Sequence, residues 1–87
     1  MTQEPQQHLK IDYPCEWEYR IIGVGDEALR LAVSEIIGDR KHSLAFSNIS
    51  KTGKYISLSL KTIVENEEIR NSIYASLTKH AAVKKVL

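Results

Sequence analysis

Cysteine is almost absent: Cys15 is the only one in 87 residues. No internal disulfide can form, no cysteine-based metal site can close, and a reducing cytoplasm is the expected setting. Long apolar runs are also missing, since none approaches the roughly 20 residues that span a bilayer. Residues 1–9 lack the positive stretch and apolar core of a secretory signal. Catalytic patterns are missing as well. There is no G-x-S-x-G elbow, and no carboxylate pair occupies an expected cleft. His8, His42 and His80 are scattered, without a second ligand at helical spacing. No catalytic residue, cofactor or metal is therefore expected.

What is present is ordinary for a soluble globular chain: 43% apolar and 26% charged residues. The length suffices for one domain and not two. A chain this short buries only about 60 to 65% of its unfolded surface, which argues against a deep closed active site. The net charge of +1 is unevenly spread. Residues 1–39 hold eight acids and three bases, and residues 40–87 hold three acids and nine bases. The polar, Gln-rich stretch 1–12 reads as a flexible arm, leaving 13–87 as the domain.

From Trp17 to Val24, apolar and charged residues alternate as in a half-buried strand. Gly23 and Gly25 break the pattern, Asp26 is placed to cap a helix, and Leu29, Val33 and Ile36 recur at helical spacing until Gly38. Alternation returns over His42 to Ile49 and again over Lys54 to Val64, with the turn Ser50-Lys51-Thr52-Gly53 between them. Asn66 is a good N-cap for a second helix to about Lys79, with Ile69, Ile73 and Leu77 on one stripe. Val83 to Leu87 closes the chain as a strand whose Lys84 and Lys85 discourage edge pairing. The order β-α-β-β-α-β with right-handed crossovers predicts an α+β, ferredoxin-like two-layer sandwich: a four-stranded antiparallel sheet with two helices on one face. The expected core is Trp17, Tyr19, Ile21, Leu29, Val33, Ile36, Leu44, Phe46, Ile56, Leu58, Leu60, Ile69, Ile73 and Leu77.

Several motifs admit a functional reading. Gly23-Val24-Gly25-Asp26-Glu27-Ala28 formally matches G-x-G-x-x-A, but Asp26 and Glu27 would repel a pyrophosphate, and the acid expected about 20 residues later is missing. A tight strand-to-helix turn accounts for it. Lys51 to Tyr55 offers a single aromatic on the third strand, a poor base-stacking platform; nucleic-acid binding by the basic hairpin stays an alternative. An acylphosphatase-like enzyme is the other alternative, with Asn48 and Arg30 or Arg20 as its only carriers.

Three blocks, Tyr13-Pro14-Cys15-Glu16-Trp17-Glu18-Tyr19-Arg20-Ile21-Ile22-Gly23, Ser50-Lys51-Thr52-Gly53-Lys54-Tyr55-Ile56-Ser57 and Val83-Lys84-Lys85-Val86-Leu87, together resemble the YbeD-like family of small bacterial proteins. The resemblance spans about Ile11 to Leu87 and carries no catalytic signature. It implies a domain similar to the ACT regulatory domains, which bind amino acids at the loop after the first strand. Gly23, Gly25 and Asp26 are the corresponding candidates here. At the hairpin tip, Ser50, Lys51, Gly53, Lys54 and Tyr55 are candidates for docking an acidic partner or an anionic ligand. The expected function is a non-enzymatic regulatory or adaptor module that binds a partner protein or small metabolite, with a homodimer forming through the sheet.

Overall fold

The computed structural model describes residues 11–87. The expected arm therefore lies outside the described residues, apart from Ile11 and Asp12. The elements are β1 (Cys15–Gly23), α1 (Asp26–Ile37), β2 (His42–Ile49), β3 (Ile56–Val64), α2 (Glu67–Lys79) and β4 (Val83–Val86). The strands form one sheet in the order β2-β3-β1-β4, every pair antiparallel. This is the βαββαβ sandwich that the alternation and helical stripes predict.

Period-2 alternation decides which residues meet the helices. Tyr19 and Ile21 of β1, and Leu58, Leu60, Thr62 and Val64 of β3, face inward and are buried. Leu29, Ala32, Val33 and Ile37 of α1 and Ile73 and Leu77 of α2 close over them, and Val83 and Val86 complete the core from β4. Tyr19 ties the layers together, its phenol donating a 2.7 Å hydrogen bond to the Arg70 carbonyl. Burial pushes the Tyr19 hydroxyl above its ordinary pKa, opposed by the nearby Arg70 charge.

Both helices end where the sequence predicts, at Ile37 and Lys79, whereas β1 ends at Gly23 and not at Val24. Asn66 caps α2, its side-chain oxygen accepting the Ile69 N–H at 2.8 Å. Gly38 stops α1 at φ 61°, a conformation that costs glycine nothing.

Four further expectations are corrected. Asp26 does not cap α1; Gly25 is the N-cap, without a side-chain bond, and Asp26 is the first helical residue, held 2.6 Å from Arg30 one turn on. β1 begins at Cys15, ahead of the Trp17 start that alternation predicts, and Tyr55 precedes β3 rather than belonging to it. Phe46 is not core: it is 55% exposed. It faces the helical side, but β2 is the outermost strand and neither helix extends over it. The same geometry leaves Leu44 half-buried, while Trp17, Ile36, Ile56 and Ile69 pack around the core margin without full burial.

Candidate functional site

The sheet face away from the helices is built by the outward residues of all four strands. Register sets them in rows: Ser43, Lys61 and Glu18; then Ala45, Ser59 and Arg20; then Asn48, Ser57, Ile22 and Lys85. The middle of this face is polar and internally satisfied. Ser59 Oγ donates to Glu18 at 2.5 Å, and Arg20 stands 3.8 Å from the same carboxylate. That hydroxyl hydrogen bond, helped by Lys61 and Arg20, holds the Glu18 carboxyl below its usual value.

The row at the hairpin end is different. Ile22 puts an apolar side chain where alternation calls for a polar one. With Asn48, Ile49, Ser50, Tyr55, Ile56 and Ser57 it lines a shallow depression of about 240 Å³. Ser57 is only 9% exposed, and its hydroxyl has no hydrogen-bond partner among the described residues. An orphaned buried hydroxyl costs about 1 to 3 kcal/mol and marks a place where an incoming group can gain a bond.

The turn beside the depression is preorganised. The Ser50 N–H donates to the Tyr55 carbonyl at 2.8 Å, the Tyr55 N–H to Ser50 Oγ at 3.0 Å, and the Gly53 N–H to the Ser50 carbonyl at 2.8 Å. Gly53 has φ 76°, which explains glycine at the tip. Lys54 lies over the Tyr55 ring with Nζ 5.5 Å from its centre. The tip candidates Ser50, Lys51, Gly53, Lys54 and Tyr55 thus share one turn, and two of them line the depression.

The loop candidates Gly23, Gly25 and Asp26 lie elsewhere, between β1 and α1. Gly23 is buried, and a Cβ there would meet the Ala82 carbonyl oxygen at 2.5 Å and Leu29 Cδ2 at 2.7 Å, so close packing accounts for this glycine. Asp26 is engaged by Arg30. Of the residues an acylphosphatase-like reading would need, register sets Asn48 and Arg20 on the helix-free face in neighbouring rows, whereas Arg30 belongs to α1 on the other face. Among the described residues, no group of three or more His, Cys, Asp or Glu could hold a metal ion. No helix among them is long and apolar enough to cross a membrane.

Ser57 and Ile22 went unmarked as a site in the sequence, and Asn48 was singled out only as a carrier of the acylphosphatase-like alternative. The available signal was Ile22, an aliphatic residue at an outward position beside Gly23. A second concavity lies between β1 and α2, lined by Trp17, Tyr19, Arg70, Asn71, Tyr74 and Leu87, with the Arg70 guanidinium 4.5 Å from the Trp17 ring centre.

A family model described as a protein of unknown function (DUF493) matches residues 8–87. Curated relatives include a UPF0250 protein of Hahella chejuensis, 32% identical over the full length of both chains. Another is an uncharacterized protein of Campylobacter jejuni, 32% identical over 93% of this chain and 88% of that one. A solution structure of the Helicobacter pylori protein HP0495 superposes with a TM-score of 0.81 at 28% identity, covering 98% of this chain and 94% of that one. The likeness runs through the whole βαββαβ architecture.

Proposed function

The chain belongs to the DUF493 family, and we propose that it is a non-enzymatic cytoplasmic regulatory module that binds a small, largely apolar organic anion at the hairpin end of its sheet. The observation that carries this reading is Ser57: a nearly buried hydroxyl without a partner among the described residues, in a depression whose lining also holds Ile22, Ile49, Tyr55 and Ile56 beside the polar Asn48 and Ser50. Pockets of mostly apolar lining with one or two placed polar groups are the common form of small-molecule sites. Lys54, over the Tyr55 ring, supplies positive charge at the rim.

Binding rather than catalysis is supported by the lining itself. It contains no His, Asp, Glu, Lys or Cys, so the Ser50 and Ser57 hydroxyls have no base beside them to make either a nucleophile. The depression is also shallow and open, which leaves a reacting group in water.

The test is amide chemical-shift mapping on labelled protein, titrated with benzoate, neutral benzamide, amino acids, keto acids, acyl phosphates and short RNA. Saturable shifts at Ile22, Ile49, Tyr55 and Ser57 with the organic anions, weaker with benzamide and in Lys54→Ala, are expected. Ser57→Ala should weaken binding while leaving the protein as stable or slightly more so, because an unsatisfied hydroxyl is removed. Shifts centred on Gly23, Gly25 and Asp26 instead would move the site to the β1–α1 loop. Acyl phosphate turnover lost in Asn48→Ala, or RNA binding that weakens steeply with salt, would replace the reading altogether.

A further inference from the structure

The two edges of the sheet are built differently. β4 is four residues long, carries Lys84 and Lys85, and shifts register against β1 between Ile22 and Gly23. Charges and irregularities of this kind deter an added strand. β2 forms the opposite edge and is eight residues long, and from His42 to Ser50 the chain holds no Asp, Glu, Lys or Arg. Among the described residues, no strand lies beside its outer main-chain edge. On the helical side, Phe46 and Ile49 are 55% and 49% exposed, apolar surface that the chain's own helices leave uncovered. Ser47 bulges out of the ladder with β3, so His42–Phe46 is the regular stretch and the edge bends beyond it toward the tip.

We propose that the free edge of β2 receives an extended segment of a partner protein, uncharged and apolar at alternate positions along the strand and acidic where it passes the hairpin tip. Main-chain hydrogen bonds to an open edge supply affinity in such strand addition, and alternate side chains supply selectivity. Here the alternate side chains on the helical face lie against Leu44, Phe46 and Ile49.

Charge selects this occupant. A charged residue in the middle of an added strand would rest against Leu44 and Phe46 with no partner. At the start of β2, Arg40 is matched by Glu65 at 2.9 Å, which leaves the single charge of Lys41 there. At its end, Lys51 and Lys54 make no ion pair among the described residues. An acidic group is complementary there. A second copy of this chain fits less well: antiparallel pairing about Phe46 sets Lys41 of one copy against Lys51 of the other, and parallel pairing sets Lys51 against its own counterpart. Like charges placed opposite one another destabilise a strand pair.

The proposed edge adjoins the depression at Ile49 and shares Lys54 with its rim, but the proposal does not rest on the depression's ligand, and the shifts that distinguish it are those along His42–Phe46. The full chain, isotopically labelled, is titrated with two acetylated synthetic peptides of alternating valine and threonine, one headed by two glutamates and the other by two lysines. In antiparallel pairing the head lies beside Lys51. The glutamate peptide should give saturable amide shifts along His42–Ile49. Affinity should fall about tenfold at low salt with the lysine peptide, and equally in the Lys51→Glu/Lys54→Glu variant. Phe46→Glu should abolish the shifts. Should that variant lose its folded spectrum, Ala45→Lys, exposed on the other side of the same strand, takes its place. Silence from both peptides at millimolar concentration, or equal affinity for the two, overturns the proposal. Concentration-dependent shifts along β2 without peptide identify a second copy as the occupant and overturn it too. Ser57→Ala should leave peptide binding intact; loss of the peptide shifts in that variant assigns them to the depression and sinks the strand-addition reading.

Discussion

Replacing Gly23 by alanine tests whether this glycine serves packing or ligand approach. A Cβ there would lie 2.5 Å from the Ala82 carbonyl oxygen and 2.7 Å from Leu29 Cδ2. Favourable carbon contacts lie at about 3.5 to 4 Å, so roughly 1 Å of relief is needed from both neighbours at once. Neither yields easily. Leu29 is fully buried, and the Ala82 carbonyl belongs to the connection into β4, whose Val83 pairs with Gly23 itself. Overpacking of this kind costs about 1 to 3 kcal/mol, which for a domain this small lowers the melting temperature by about 5 to 20 °C. Thermal and urea unfolding followed by circular dichroism would measure it. Gly25→Ala is the control. The nearest atom to its added Cβ is 3.7 Å away and its backbone is extended, so the cost should stay below about 1 kcal/mol, a cap effect. Adding Leu29→Ala to Gly23→Ala should not restore stability, because the carbonyl clash remains and a cavity is created. A Gly23→Ala protein within about 0.5 kcal/mol of the parent would refute the packing argument and return this glycine to the list of ligand-approach positions.

Asn66→Ala removes the oxygen that accepts the Ile69 N–H and should cost about 1 kcal/mol in urea unfolding, with fraying confined to the first turn of α2 in hydrogen exchange. Tyr19→Phe keeps the buried ring but deletes its bond to the Arg70 carbonyl; a loss of about 1 kcal/mol is expected, and a stabilised variant would contradict the hydrogen-bond assignment. The Arg40 guanidinium, donating to Glu65 at 2.9 Å, holds that carboxyl below its usual value. With the folded value below the unfolded one, the contribution of this pair is present above the ordinary carboxylate pKa and fades as pH falls through the lowered value. Carboxyl titration by NMR should show the Glu65 value rising in Arg40→Ala, while the backbone hydrogen bond to this carboxylate keeps its smaller lowering effect.

The fold was legible because its signals are local. Alternation in β1 and β3, the stripe Ile69, Ile73 and Leu77, and the punctuation by Gly38, Gly53 and Asn66 each follow from one chain segment and its backbone geometry. The tip candidates were legible for the same reason, since a turn is a contiguous stretch. What alternation reports is which side of a strand a residue faces, and not whether anything lies across from it. Phe46 shows the difference: it faces the helical side as its pattern requires, yet stands at the sheet margin where no helix reaches.

Element order, the inward faces of β1 and β3, the N-cap of α2 and the glycine-dependent turn at Gly53 can be read from the chain alone, because each depends on neighbours within a few residues. That β2 is an edge, that Gly23 is closed in by Ala82 and Leu29, and that Ile22 and Asn48 meet beside the Ser57 hydroxyl emerge from the folded arrangement. Those facts depend on strand order and register between segments tens of residues apart, which hydrogen bonding and side-chain packing fix jointly. The candidate site is made of such encounters, so its residues came into view only when the strands were paired.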